Sequence, residues 1–149
     1  RLVMHVNVTA AFMMTQALLP LLETSKDASV IFTSSGVGNQ GKAYWGAYSV
    51  SKFATEGMAQ VLAQETENIS NIRVNVINPG ATRTSMRAQA FPGEDPALNL
   101  TPDDIMPTYQ YLLGPDSLGV TGQRFNAQEM HKPKKQDTEV GSTEASLAE

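Results

Sequence analysis

Residues 34–52, SSGVGNQGKAYWGAYSVSK, decide how this 149-residue chain is read. If a helix begins near Ala47, the four-residue step from Tyr48 to Lys52 sets a phenol and an ammonium on one face, about one turn apart. A phenol with an ordinary pKa near ~10 is a poor base at neutral pH, and a cation held a few ångströms away favours its phenolate. A tyrosine so placed can pass a proton to or from a hydroxyl or carbonyl oxygen. Ser34 and Ser35 lie fourteen and thirteen residues before Tyr48, at the end of the apolar run Val30-Ile31-Phe32-Thr33, which reads as a buried strand. Ser35 is therefore expected at the carboxyl end of a strand, where open α/β sheets bind their ligands.

A Tyr-x-x-x-Lys pair alone is common by chance. Joined to a serine thirteen residues upstream, a preceding strand and Asn78-Pro79-Gly80 downstream, it is specific. On these residues the chain resembles the short-chain dehydrogenase/reductase family, over about residues 1–128. The resemblance implies an α/β fold, the carboxyl-terminal half of a Rossmann-like doubly wound parallel sheet, with strands near 29–34, 72–77 and 123–127 and flanking helices. It implies an oxidoreductase that moves a hydride between a nicotinamide cofactor, NADP or NAD with NADP preferred, and a small carbonyl or alcohol substrate. Tyr48 would exchange the proton, Ser35 would orient the substrate oxygen, and Lys52 would tune the phenol and bind the nicotinamide ribose.

Further site residues follow from the same likeness. Val6-Asn7-Val8-Thr9-Ala10 matches the place where these enzymes carry a catalytic asparagine on a locally distorted helix, whose carbonyl holds a water linked to the lysine. Read from its neighbours alone, Asn7 is a buried hydrogen-bonding residue or a solvent-facing one. Pro79-Gly80-Ala81-Thr82-Arg83-Thr84 turns the chain out of the second strand. In the family this Pro-Gly-x-x-x-Thr pattern holds the nicotinamide end of the cofactor. The expected cofactor-binding residues are thus Tyr48, Lys52, Pro79, Gly80, Thr82 and Thr84.

The bulk properties narrow the class. At 41% hydrophobic and 17% charged residues the composition is that of an ordinary globular domain, and the formal net charge of −4 gives no reason to expect a nucleic-acid surface. The absence of cysteine excludes disulfides and thiolate metal sites, and is compatible with the reducing cytoplasm, the expected location. Neither His5 nor His131 has a partner at metal-ligand spacing, so no metal is assigned. The longest apolar runs look far short of the roughly 20 residues that span a bilayer, and no membrane association is expected.

Along the chain, Val3, Val6, Ala10, Met13, Ala17 and Leu21 mark an amphipathic helix over residues 1–22, its last turn weakened by Pro20. A second helix is expected over 47–68, with Val50, Ala54, Met58, Val61 and Leu62 as its apolar contacts. The resemblance implies a homodimer or homotetramer formed through these two helices, whereas periodicity alone suits burial within one subunit equally well. Tyr44 and Trp45 either wall a substrate pocket or pack the loop. Residues 85–100 lack periodicity and read as a lid or a plain connection; Arg83 and Arg87 read as solvated, the alternative being attraction of an anionic substrate group. Thr101-Pro102-Asp103-Asp104 is a strong helix start, the aspartates acting as capping groups, and Pro107 is expected to kink or break that helix. Residues 129–149 are polar and read as a disordered tail.

The Gly-x-x-x-Gly-x-Gly turn with which family members grip the adenine end of the cofactor does not occur in the sequence. The chain is therefore expected to be the carboxyl-terminal half of an enzyme, and the 149-residue polypeptide alone is expected to be inactive. Two rivals stand beside the oxidoreductase: a non-catalytic scaffold or interaction module derived from a dehydrogenase half, and a reductase of carrier-bound acyl groups with a basic docking patch.

Overall fold

The centre of the sheet is β2, Ile72–Asn78, whose residues are buried on both faces up to Ile77. Ile72, Val74 and Val76 point to one side, and Arg73, Asn75 and Ile77 to the other, as the two-residue period of a strand requires. The structure, a computed structural model, describes residues 1–129. Strand β1, Ala28–Thr33, pairs with β2 in parallel from Ala28↔Ile72 to Thr33↔Ile77. On the other side β3, Arg124–Asn126, pairs in parallel from Val76↔Arg124 to Asn78↔Asn126. The order is β1-β2-β3, so among the described residues β1 has a partner on one edge only.

Parallel neighbours need long crossovers, and helices supply them. The polypeptide opens with α1, Leu2–Met4, a π-helical segment His5–Ala10 and α2, Ala11–Glu23. Helix α3, Gly46–Thr66, joins β1 to β2 and covers one face of the sheet. There Ala59, Leu62 and Ala63 meet Ala28, Phe32, Ile72, Val74 and Val76, with Leu19 and Leu22 of α2 packed alongside. Helices α4, Ser85–Ala90, and α5, Pro102–Leu113, lie between β2 and β3. Ile105 and Leu112 of α5 pack with Ile77 and Ala127 in a second apolar cluster. The expected doubly wound arrangement is present over three strands.

Several expectations are corrected in detail. The first helix runs past Pro20 to Glu23, close to its expected end, whereas the expected break at Pro107 is absent and α5 runs to Leu113. Each proline deprives the carbonyl four residues earlier of its donor. Those carbonyls belong to Gln16 and Asp103, both exposed residues with access to water. Residues 85–100 are also more ordered than their pattern suggests, with α4 and a 3-10 turn over Pro96–Leu98. Thr101 and Asp104 form a reciprocal capping box at the start of α5, as the sequence led us to expect.

The reading of the apolar runs also needs correction. Leu2–Glu23 is a continuous helical rod of 22 residues with mean hydropathy 1.5 over an 18-residue stretch of it, long and apolar enough by length and composition to cross a membrane. Its polar Asn7 is tied to α3, and Leu19 and Leu22 pack on the sheet cluster. Leu2, Val6, Phe12, Met13, Met14 and Leu21 are exposed. The expected tail lies almost entirely outside the described residues.

Candidate active site

Strand β1 delivers Ser34 and Ser35 to the carboxyl edge of the sheet. Ser34 N donates to Ile77 O at 2.8 Å, continuing the ladder one residue past the strand. Ser35 is extended, and its carbonyl accepts Gly38 N at 2.9 Å as the chain turns through a short 3-10 segment, Gly36–Gly38. Ser49 Oγ donates to Val37 O at 2.8 Å and pins this turn to the first part of α3. Because α3 starts at Gly46, Tyr48 falls in its first turn and Lys52 one turn later, as their spacing predicts.

Ser35, Tyr48 and Lys52 line one cavity of roughly 930 Å³. Pro79, Gly80, Thr82 and Thr84 line it too. Lys52 Nζ donates to Thr33 O at 2.9 Å and lies 5.6 Å from the centroid of the Tyr48 ring. Burial pushes the Lys52 ammonium below its usual range, because the charged form loses hydration.

Asn7 does not line the cavity. Its side-chain amide donates to Ser51 Oγ at 3.0 Å, and Ser51 Oγ in turn donates to Tyr48 O at 2.7 Å. The helix is locally distorted at this point, being π-helical over His5–Ala10, and Asn7 O accepts a long hydrogen bond from Thr55 Oγ1 at 3.5 Å. The asparagine therefore reaches the tyrosine from behind, through the backbone of α3.

Gly80 takes φ 73, a left-handed conformation that suits glycine, and its N–H donates to Asn78 Oδ1 at 3.1 Å. Thr82 Oγ1 donates back to Pro79 O and Gly80 O, at 3.3 and 3.4 Å. Thr84 has a second duty that its motif does not announce. It caps α4 by accepting Arg87 N at 3.2 Å, while its hydroxyl leans on Thr82 O at 3.4 Å.

Aromatic rings form part of the cavity wall. Trp45 lies 5.8 Å from Tyr48 and 5.9 Å from Phe91 between ring centroids, so it both walls the cavity and packs the loop, whereas Tyr44 lines the cavity but is fully exposed. Arg83 and Arg87 are not the solvated side chains expected. Arg87 forms a two-point pair with Glu94, at 2.7 and 2.6 Å, and Arg83 donates to Pro96 O, Ala97 O and Asn99 O. Hydrogen bonds from Arg87 and then Asn99 hold the Glu94 carboxyl down at about 2.

Three residues of this neighbourhood were not singled out by the motifs. Tyr109 of α5 lines the cavity, and burial raises its phenol pKa. Glu56 and Arg124 form an ion pair at 2.9 Å directly behind the serine loop. Glu56 follows Lys52 by four residues, a helical spacing that a search for side chains on the same face would have flagged.

The sequence profile of the family described as short chain dehydrogenase matches residues 1–95. The chain belongs to that family. Among short-chain dehydrogenases it is 62% identical over 131 residues to the "uncharacterized oxidoreductase YciK" of Escherichia coli K12, an alignment covering 88% of this chain and 51% of the relative. It superposes on a short chain dehydrogenase from Salmonella enterica serovar Typhi CT18 with a TM-score of 0.82 at 64% identity, covering 84% of this chain and 51% of the other. A short chain dehydrogenase from Escherichia coli CFT073, complexed with NADPH, gives 0.81 at 62% identity, covering 84% and 51%. The chain thus spans about half the length of these relatives.

Proposed function

We propose that the chain is the substrate-handling part of an NAD(P)-dependent oxidoreductase acting on a carbonyl or alcohol, with NADP as the preferred cofactor. The observation that carries this reading is that Ser35, Tyr48 and Lys52, drawn from a strand end and a helix, line one cavity whose wall includes Pro79 and Gly80. The NADPH complex of the Escherichia coli CFT073 relative supports the cofactor.

The residues fit the nicotinamide end of such a cofactor. The Pro79–Thr82 main chain and the Thr84 hydroxyl are placed to hold the carboxamide side, although capping of α4 leaves Thr84 little free bonding capacity. Lys52 supplies an ammonium for ribose hydroxyls, with Tyr48 beside it. When bound, the cofactor supplies or accepts the hydride.

In reduction the Ser35 hydroxyl donates a hydrogen bond to the substrate oxygen and holds it against Tyr48. As the carbonyl carbon gains the hydride and forms its new C–H bond, the Tyr48 phenol gives its proton to that oxygen, and the product is the alcohol. The Lys52 ammonium stabilises the phenolate left behind. Asn7 acts through Ser51 and the Tyr48 carbonyl, keeping the relay behind the phenol in place. Trp45 and Phe91 keep water from one side of the reacting carbon.

We further propose that residues 1–128 form the carboxyl-terminal portion of a short-chain dehydrogenase domain in a cytoplasmic homodimer or homotetramer. The exposed Val6, Phe12, Met13, Val50, Phe53 and Val61 offer the two helix faces for that pairing. The scaffold reading is less favoured, because a module without catalysis has no need of these three side chains around one cavity. The carrier-bound acyl reading gains nothing from Arg83 and Arg87, since both are engaged within their own loop. Incubating the native protein with NADPH and a panel of aldehydes and ketones separates the readings: substrate-dependent loss of NADPH absorbance supports the oxidoreductase, and none with any compound supports the scaffold.

A further inference from the structure

The Glu56–Arg124 pair stands outside the cavity, yet it holds the serine loop that lines it and, through Asn126 and Asn78, reaches the Pro79-Gly80 turn. Glu56 lies on α3 one turn beyond Lys52, and its side chain is only 9% exposed. A carboxylate so far from water needs partners. Its Oε1 accepts the Ser34 hydroxyl at 2.5 Å and Arg124 Nε at 2.9 Å. The guanidinium then spreads in two further directions. One terminal nitrogen donates to Ser35 O at 3.1 Å, and the other to Asn126 Oδ1 at 3.1 Å.

The network continues from Asn126 to the cofactor loop. Asn126 Oδ1 also accepts Asn78 Nδ2 at 3.1 Å, and Asn78 Oδ1 accepts Gly80 N at 3.1 Å. Gly38 leaves the room this requires, since a Cβ there would collide with the Ser34 hydroxyl and stand 3.1 Å from Glu56 Oε1. A planar fork of donors can bind three acceptors in fixed directions at once, which the point charge of a lysine cannot do.

We infer that Arg124, held by Glu56, is a positioning residue for the proposed catalysis: it fixes the main chain of Ser35 relative to the Tyr48 helix and the Pro79-Gly80 turn. The inference rests on the role assigned above to Ser35. It predicts that Arg124 matters to turnover through Ser35 and not merely through stability.

The test is a double-mutant cycle in the native protein, with saturating NADPH and a carbonyl compound found active in the panel above. Arg124→Lys and Arg124→Met are each made with Ser35 intact and with Ser35→Ala. With Ser35 present, each substitution should lower kcat by about tenfold or more, the size of effect that a small misplacement of a reacting group produces. With Ser35→Ala, the same substitutions should change the residual kcat by less than about twofold, because groups that act as a unit are not additive. Equal losses in both backgrounds, or full kcat with only a lowered Tm, would overturn the inference while leaving the function intact. If Ser35→Ala alone keeps full kcat, the role of Ser35 fails first and this inference fails with it. Should Arg124→Met not fold, Arg124→Lys decides, since it retains the charge opposite Glu56 but not the fork.

Discussion

Asn7 donates its side-chain amide to Ser51 at 3.0 Å from within a π-helical segment, and Ser51 passes the contact on to the carbonyl of Tyr48 at 2.7 Å. The asparagine is thereby coupled to the proposed proton donor without touching the cavity. Asn7→Leu should lower kcat by about tenfold while leaving the KM for NADPH nearly unchanged, and should cost about 1 kcal/mol of stability through the lost hydrogen bond. Steady-state kinetics with urea unfolding of the same variant checks both. An unchanged kcat would remove Asn7 from the relay.

Lys52 should lose its proton at a pH below the ordinary lysine value of 10.5, because burial penalises its charged form. The unfolded chain then holds this proton more tightly than the folded one. The contribution to stability therefore rises as pH climbs through the folded Lys52 pKa, and levels off above the unfolded value. Labelling with an amine-selective reagent over a pH series, read by mass spectrometry at Lys52, should give a midpoint below 10.5. A midpoint at or above it contradicts the effect of burial.

Arg73 is the structural counterpart of Arg124. It is 4% exposed in the middle strand, donates to Asp27 at 2.6 Å, to Leu112 O and Gly114 O at 3.3 Å each, and to the Ser117 hydroxyl. It ties the carboxyl end of α5 to the sheet. Asp27 is well exposed, which screens the ionic part, so the loss in Arg73→Leu comes mostly from the stranded carbonyls and hydroxyl. We expect about 2–3 kcal/mol of destabilisation in urea unfolding with little change in kcat at temperatures where the variant is folded.

The 149-residue polypeptide on its own should be aggregation-prone or molten, inactive, and a poor binder of dinucleotide. Strand β1 has one open edge among the described residues, and apolar side chains from Leu2 to Leu21 face solvent. Calorimetry should give a broad or absent transition and titration little uptake of NADPH. A sharp two-state transition with micromolar binding would contradict this.

What the sequence made legible was local. Tyr48 and Lys52 are one helical turn apart, Ser35 follows an apolar strand, and Thr101 and Asp104 cap a helix, each within a window where periodicity and turn chemistry operate. The π-helical turn at Asn7 had no such signal, since Val3, Val6 and Ala10 fit an ordinary helix, and only family likeness pointed to it. Arg124 meets Glu56 across 68 residues, and Arg73 meets Ser117 across 44, pairings that only the tertiary fold creates. The order of the 83–99 segment escaped for a related reason. It comes from Arg83 and Arg87 binding carbonyls and Glu94 across a loop with no repeating pattern.

The central claim is that the phenol of Tyr48 exchanges a proton with the substrate oxygen, and Tyr48→Phe in the native protein tests it most directly. The account predicts that NADPH-dependent turnover of an active carbonyl compound falls by at least about 10²-fold, while NADPH still binds with nearly unchanged affinity. Turnover equal to that of the unsubstituted protein would contradict it.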